Sequence, residues 1–190
     1  MGNIRLVKIT KKNINIATKV QLDIFRTENG YNHFLTAINS NKEYCCYFIA
    51  YHDNIPIGVT GLYSIEDIEQ TNSIWLGWFG IEEEYRKHGY GAEVLMKTIE
   101  IAKKFAKKYS AIKYLRLYTS SKLNEKAIPF YRKYMDIEEN YRNKKDYTYE
   151  DTCIIFTKIL LNDTPLKKWN NKFLNISGII ESEDSGKALF

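Results

Sequence analysis

Two spacings organise the apolar residues of this chain. Arg5 to Ile9 alternates polar and apolar, which predicts a half-buried strand. Thr10 suits the N-cap of a helix running to about Thr27, and Asn29-Gly30 breaks it. A second short helix carries Phe34, Leu35 and Ile38. Tyr44 to Tyr51 and Ile55 to Tyr63 read as a hairpin across the turn His52-Asp53-Asn54. Glu66 to Asn72 is polar and reads as a loop. Ser73 to Ile81 is apolar and aromatic, too short for a typical helix, and fits a buried strand. Then Ala92, Leu95, Ile99, Ala102, Ala106 and Tyr109 recur at helical spacing, with lysines crowding the last turns. Tyr114 to Thr119 is a further strand, and Met135 to Tyr141 and Thr152 to Leu160 make a final pair. Hairpins around one crossover helix argue an α/β or α+β fold with a mixed sheet.

The segment Arg86-Lys87-His88-Gly89-Tyr90-Gly91-Ala92 lies between that apolar strand and the long helix. Two glycines one residue apart let a backbone turn sharply and approach a ligand. The free N–H groups of a helix that opens there, with the positive end of its dipole behind them, favour an anion such as phosphate. Three readings compete. One is a glycine-rich connector with no ligand. A second is a dinucleotide fold, but Val94 stands where the third glycine of Gly-x-Gly-x-x-Gly belongs, and the strand after the helix carries no acidic residue. The third is the pyrophosphate loop of a coenzyme A-dependent acyltransferase.

Two blocks carry the third reading as a family resemblance. Arg86-x-x-Gly89-x-Gly91 resembles the Gln/Arg-x-x-Gly-x-Gly/Ala signature of the GNAT family of N-acetyltransferases. Asn124-Glu125-Lys126-Ala127-Ile128-Pro129-Phe130-Tyr131 is similar to the family's later motif, an Asn followed by Ala and then Tyr, after a strand. The likeness covers roughly residues 4 to 160, taken as the acyltransferase domain 1–160, with 161–190 as a C-terminal extension. The resemblance implies a GNAT-like fold, a mixed, mostly antiparallel central sheet flanked by helices, with acetyl-CoA as the cofactor. Its pantetheine arm would pair like an extra strand with Phe79, Gly80 and Ile81. Its pyrophosphate would sit on Arg86 and the amides of Lys87, His88, Gly89, Tyr90, Gly91 and Ala92. Asn124 would touch the pantetheine arm; it also makes a good N-cap. Tyr131 would be catalytic, protonating the departing thiolate. A phenol with a pKa near 10 does that slightly uphill against a thiol near 8.5, so placement matters more than acidity.

No general base is assignable. Residues 73–81 hold no carboxylate; Glu82, Glu83, Glu84, Glu66, Asp67, Glu69 and Glu28 are alternatives, as is a water relay. Glu28, Tyr31, Glu66, Trp75 and Trp78 would border the acceptor and suit a cationic amine, either a small molecule or a peptide. A non-catalytic acyl-CoA sensor of the same fold stays open beside the enzyme.

Composition narrows the picture. A length of 190 residues fits one domain, and 44% hydrophobic residues exclude a disordered chain. Apolar runs stay short of a membrane span, and a cytoplasmic protein without membrane attachment is expected. A net charge of +5, spread over lysine-rich helix faces, gives no nucleic-acid pattern but suits a polyanionic cofactor. Cys45, Cys46 and Cys153 read as buried free thiols, and the three histidines make no metal spacing. Pro165 to Ile180 caps the sheet, packs on a partner subunit of a homodimer, or covers the acceptor mouth; simple packing is favoured. Glu181 to Phe190 reads as frayed.

Overall fold

In chain order the elements are strand β1 (Ile4–Lys8), helices α1 (Ile14–Phe25) and α2 (Tyr31–Asn39), strands β2 (Cys46–His52) and β3 (Ile55–Tyr63), and helix α3 (Ile68–Thr71). They continue with β4 (Ser73–Leu76), β5 (Gly80–Ile81), α4 (Tyr90–Lys108), β6 (Tyr114–Ser120) and α5 (Ile128–Tyr134). Strands β7 (Ile137–Asn143), β8 (Thr152–Ile159), β9 (Ile179–Ser182) and β10 (Lys187–Ala188) complete the chain. The computed structural model describes residues 4–26, 29–64, 68–122, 125–143, 152–169, 179–182 and 187–188. The sheet is mostly antiparallel and flanked by helices, as the family resemblance implied.

The chain divides into two compact units, and the boundary falls inside β4 and α4. The first comprises Met1–Ser64 and Trp75–Phe105. Here β1, β2 and β3 are antiparallel neighbours. The β2–β3 turn places Asp53 and Asn54 at φ 46° and 70°, the left-handed pair that a two-residue hairpin turn favours. One face of this sheet packs Ile9, Ile14, Ala17, Phe34, Tyr47 and Ile49 against α1 and α2. The other packs Ile4, Ala50, Ile57, Ile81 and Val94. Val94, Leu95 and Ile99 of α4 are fully buried, and each aliphatic side chain so placed stabilises the fold by roughly 1.5–3 kcal/mol. Thr60 and Thr98 share a buried hydroxyl contact of 3.0 Å that ties β3 to α4.

The second unit comprises Ile65–Ile74 and Ala106–Phe190. Strand β8 pairs β6 on one side and β7 on the other. Arg116 of β6 is only 1% exposed. It donates to Ser73 Oγ at 2.9 Å and Thr157 Oγ1 at 2.6 Å, and lies 3.6 Å from Glu139. Burial lowers its pKa to about 10, while Glu139 works in the opposite direction. Glu139 in turn accepts from Tyr141 Oη and from the Trp169 backbone N–H, both at 2.7 Å. Arg116 also donates to the Lys167 carbonyl, and Tyr114 Oη donates to that of Pro165. A buried ionic cluster therefore holds the start of the C-terminal extension against β6 and β7.

Several sequence expectations are corrected. Helix α1 begins at Ile14, not after Thr10, because the Asn13 side chain accepts from the Thr10 N–H at 2.7 Å and closes a turn first. The polar loop contains the one-turn helix α3, whose Ile68 and Thr71 are buried. The strand predicted over Ser73 to Ile81 is two strands with a break at residues 77–79. The C-terminus is not wholly frayed: β9 and β10 both pair β7. Pro129 stands at the start of α5, after a 3-10 turn over Glu125–Ala127, where its missing N–H removes no helical bond.

Candidate active site

The loop before α4 is built by backbone conformation. A 3-10 turn over Glu83–Tyr85 ends in an extended Arg86, and Lys87 and Gly89 follow in left-handed conformations, φ 64° and 85°. Only glycine takes that conformation without steric cost, and a side chain at Gly89 would point into open space. The first bond of α4 runs from Glu93 N–H to the Gly89 carbonyl at 3.1 Å. Among the described residues, the N–H groups of Lys87, His88, Gly89, Tyr90, Gly91 and Ala92 find no acceptor in the protein. They stand free at the positive end of a 19-residue helix.

Side chains brace this loop. Arg86 Nε donates to the Ile81 carbonyl at 2.9 Å, joining the loop to the end of β5. Tyr90, between the two glycines, has its hydroxyl 3.1 Å from His52 Nε2 on β2. Its ring packs on His52 at 4.5 Å and stacks on His88 at 5.7 Å. His52 is also 3.7 Å from Asp53. The sequence reading placed His88 and Tyr90 at the loop but missed His52, because nothing in the local pattern marks its partner 38 residues away.

β5 supplies the edge. Gly80 faces Val59 and Ile81 faces Gly58 on β3, and among the described residues no strand pairs the opposite edge. Gly80 lies so close to α1 that a Cβ there would meet Ile24 at 2.6 Å. Phe79 packs with Ile81 on the α4 side. Trp78 packs on the opposite cluster with α1 and α2.

The candidate carboxylates separate clearly. Glu83 is exposed and 3.6 Å from Arg26, and Glu69 and Glu84 are also exposed. Glu82 is half-buried; burial raises its pKa first, and the nearby Asp23 and Glu84 raise it further. Trp75 is 1% exposed, inside the core, and does not border an open acceptor site as expected. Tyr31 is exposed and Trp78 is half-buried. Asn124, Glu28, Glu66 and Asp67 lie outside the described residues.

Tyr131 belongs to the second unit, on α5. It is 9% exposed, with Phe130 and Phe156 both 5.6 Å away between ring centres. Burial raises its pKa well above the ordinary phenol value, so the hydroxyl keeps its proton. The following residue, Arg132, makes a two-pronged contact with Glu138 at 2.7 and 2.8 Å, which fixes α5 against β7. No group of metal-ligating side chains occurs among the described residues. No described helix is long and apolar enough to cross a membrane.

The acetyltransferase (GNAT) family model matches residues 15–136, and the chain belongs to that family. Solved structures share the fold. The ribosomal-protein-S18-alanine N-acetyltransferase of Escherichia coli superposes with a TM-score of 0.61 at 13% identity, over 86% of this chain and 100% of that one. Arabidopsis thaliana Naa50, in complex with the bisubstrate analogue CoA-Ac-MVNAL, gives 0.61 at 18% identity, over 82% and 97%. A GNAT acetyltransferase from Elizabethkingia anophelis with acetyl-CoA bound gives 0.53 at 21% identity, over 83% and 98%. No curated protein matches the sequence.

Proposed function

We propose that this chain transfers an acetyl group from acetyl-CoA to a primary amine. The observation that carries this reading is the run of free N–H groups from Lys87 to Ala92, which opens beside an unpaired strand edge. A diphosphate fits the first and an amide-bearing arm fits the second. A side chain built at Gly89 would meet nothing within 4 Å, so the loop is uncovered there. Arg86, Lys87 and His88 supply charge or donors around it. The E. anophelis relative, with acetyl-CoA bound, supports the choice of ligand.

Acetyl-CoA contributes the reactive thioester and departs as the free thiol. The residues of this chain bind it, orient it and move two protons. The backbone of Lys87 to Ala92 holds the diphosphate, and Phe79, Gly80 and Ile81 align the arm. The amine nitrogen forms a bond to the acetyl carbonyl carbon while the carbon–sulfur bond breaks. Glu82, directly or through water, accepts the proton lost by the amine. Its raised pKa suits it to hold a proton nearer neutrality than an ordinary carboxylate does. Tyr131 gives its phenolic proton to the sulfur and regains one from solvent. Burial makes that donation more uphill than it is for an exposed phenol.

The test is thiol release from acetyl-CoA against a panel of amines, with calorimetric binding of coenzyme A in parallel. Tyr131→Phe lowers turnover by about a hundredfold or more and leaves coenzyme A affinity within about twofold. Loss of affinity without loss of turnover contradicts the assignment. A non-catalytic acyl-CoA sensor is the second reading, favoured by the absence of a carboxylate from residues 73–81 and by the burial of Tyr131 against Phe130 and Phe156. It predicts tight coenzyme A binding with no amine-dependent thiol release.

A further inference from the structure

The break between β4 and β5 is a bulge with one residue too many. Tyr63 pairs Trp75 and Leu62 pairs Leu76; beyond the break, Val59 pairs Gly80 and Gly58 pairs Ile81. Only Thr60 and Gly61 of β3 therefore face Gly77, Trp78 and Phe79. Gly77 N–H still reaches the Gly61 carbonyl at 3.0 Å, so the excess is absorbed after it. It is absorbed at Trp78, whose φ is 46°. A bulky residue in the left-handed region costs of order 1–3 kcal/mol and persists only where its surroundings enforce it.

The surroundings are aromatic and come from two helices. Phe25 of α1 stands edge-on to Trp78 with ring centres 5.2 Å apart, and His33 of α2 does the same at 5.5 Å. Trp78 and Phe25 are half-buried and His33 is exposed, so this group meets solvent. Its position along the strand sets its role. In the acetyl-CoA reading, an arm that starts at the Lys87–Ala92 loop and pairs with Ile81, Gly80 and Phe79 would run on toward Trp78. These three strand positions cover roughly 10 Å.

We infer that Trp78, Phe25 and His33 form the specificity-determining wall for the acceptor, and that it takes a primary amine carried on an apolar or aromatic group. This rests on the acetyl-CoA reading above. The wall offers three ring faces to the acceptor, so it rewards apolar carriers over polyamines. Two sources share this chemistry: small arylalkylamines, and peptides whose first residue is large and apolar.

The experiment compares phenethylamine, a peptide beginning with Phe, a peptide beginning with Gly, and spermidine. Both transfer and calorimetric binding to the coenzyme A-saturated protein are measured. Phenethylamine and the Phe peptide distinguish the two sources; the wild type favours at least one of them by about tenfold over the Gly peptide and spermidine. Trp78→Ala erases the preference, raising KM for the favoured amine by about tenfold with kcat within about threefold. Trp78→Phe and Phe25→Leu, which keep the core filled, give smaller shifts in the same direction. Coenzyme A binding with equal use of all four acceptors, or a preference unchanged in Trp78→Phe, Phe25→Leu and Trp78→Ala alike, overturns this inference and leaves the transferase reading standing. Failure to bind coenzyme A at all overturns both.

Discussion

Arg86 Nε donates to the carbonyl of Ile81 at 2.9 Å, so the first residue of the loop motif is fastened to the last residue of β5. The two parts of the proposed coenzyme site are thereby held in one register. Arg86→Ala frees the loop and removes a positive charge beside the diphosphate. Coenzyme A affinity is expected to fall about tenfold, or about 1.4 kcal/mol, by calorimetry at low salt. The difference from wild type narrows at 0.5 M salt, because an exposed charge is screened.

In the proposed mechanism Glu82 sets the acid side of the pH–rate profile. Its pKa is raised by burial, then by Asp23 and Glu84, so it becomes protonated at a higher pH than an exposed carboxylate. Protonated, it accepts nothing from the amine. The rate with acetyl-CoA saturating is therefore expected to fall as pH drops toward the carboxylate range. That fall begins above the value of an unperturbed Glu. Glu82→Gln lowers kcat by about a hundredfold near neutral pH and flattens this limb. A limb that survives in Glu82→Gln assigns the proton to another group.

The Arg116–Glu139 pair is nearly inaccessible to water, at 3.6 Å. Arg116→Met leaves Glu139 as an uncompensated buried charge and is expected to cost about 3–5 kcal/mol in urea unfolding. The double variant Arg116→Met, Glu139→Gln recovers most of that loss. It also isolates the role of the Trp169 N–H contact, which Gln retains as an acceptor.

Cys46 predicts an alkaline limit on stability. Burial raises its thiol from 9.0 to about 12 in the folded chain. Between those values the unfolded chain has released the proton and the folded chain has kept it. Stability is thus full below about pH 9 and falls as pH rises through about 12. Thermal unfolding between pH 8 and pH 11 checks this, and Cys46→Ala makes the decline shallower. At pH 8, alkylation of the native chain is expected to favour the half-buried Cys45 over Cys46 and Cys153.

Long, strongly periodic elements were legible in the sequence. The face Leu95, Ile99, Ala102 and Ala106 is buried as its spacing predicts, and Asp53-Asn54 forms the expected turn. The loop from Arg86 to Ala92 opens α4 as read, because its glycine spacing is a local signal. Tertiary constraints were not legible. The run from Trp75 to Ile81 is uniformly apolar, so nothing in it revealed the extra residue at Trp78 or the full burial of Trp75. Asn13 competes locally with Thr10 for the start of α1, and hydrophobic spacing does not arbitrate between caps. The His52–Tyr90 contact and the Arg116 cluster join residues from distant elements, and neither carries a sequence pattern of its own.

The most direct test of the central claim is calorimetric titration with coenzyme A, repeated in the presence of NAD or ATP and on a Gly89→Val variant. Micromolar binding of coenzyme A is expected, displaced poorly by NAD or ATP. Valine at a left-handed position with φ 85° distorts the cradle, and affinity is expected to fall at least tenfold. Coenzyme A binding that NAD or ATP abolishes at equal concentration, or that Gly89→Val leaves unchanged in a folded protein, contradicts the account.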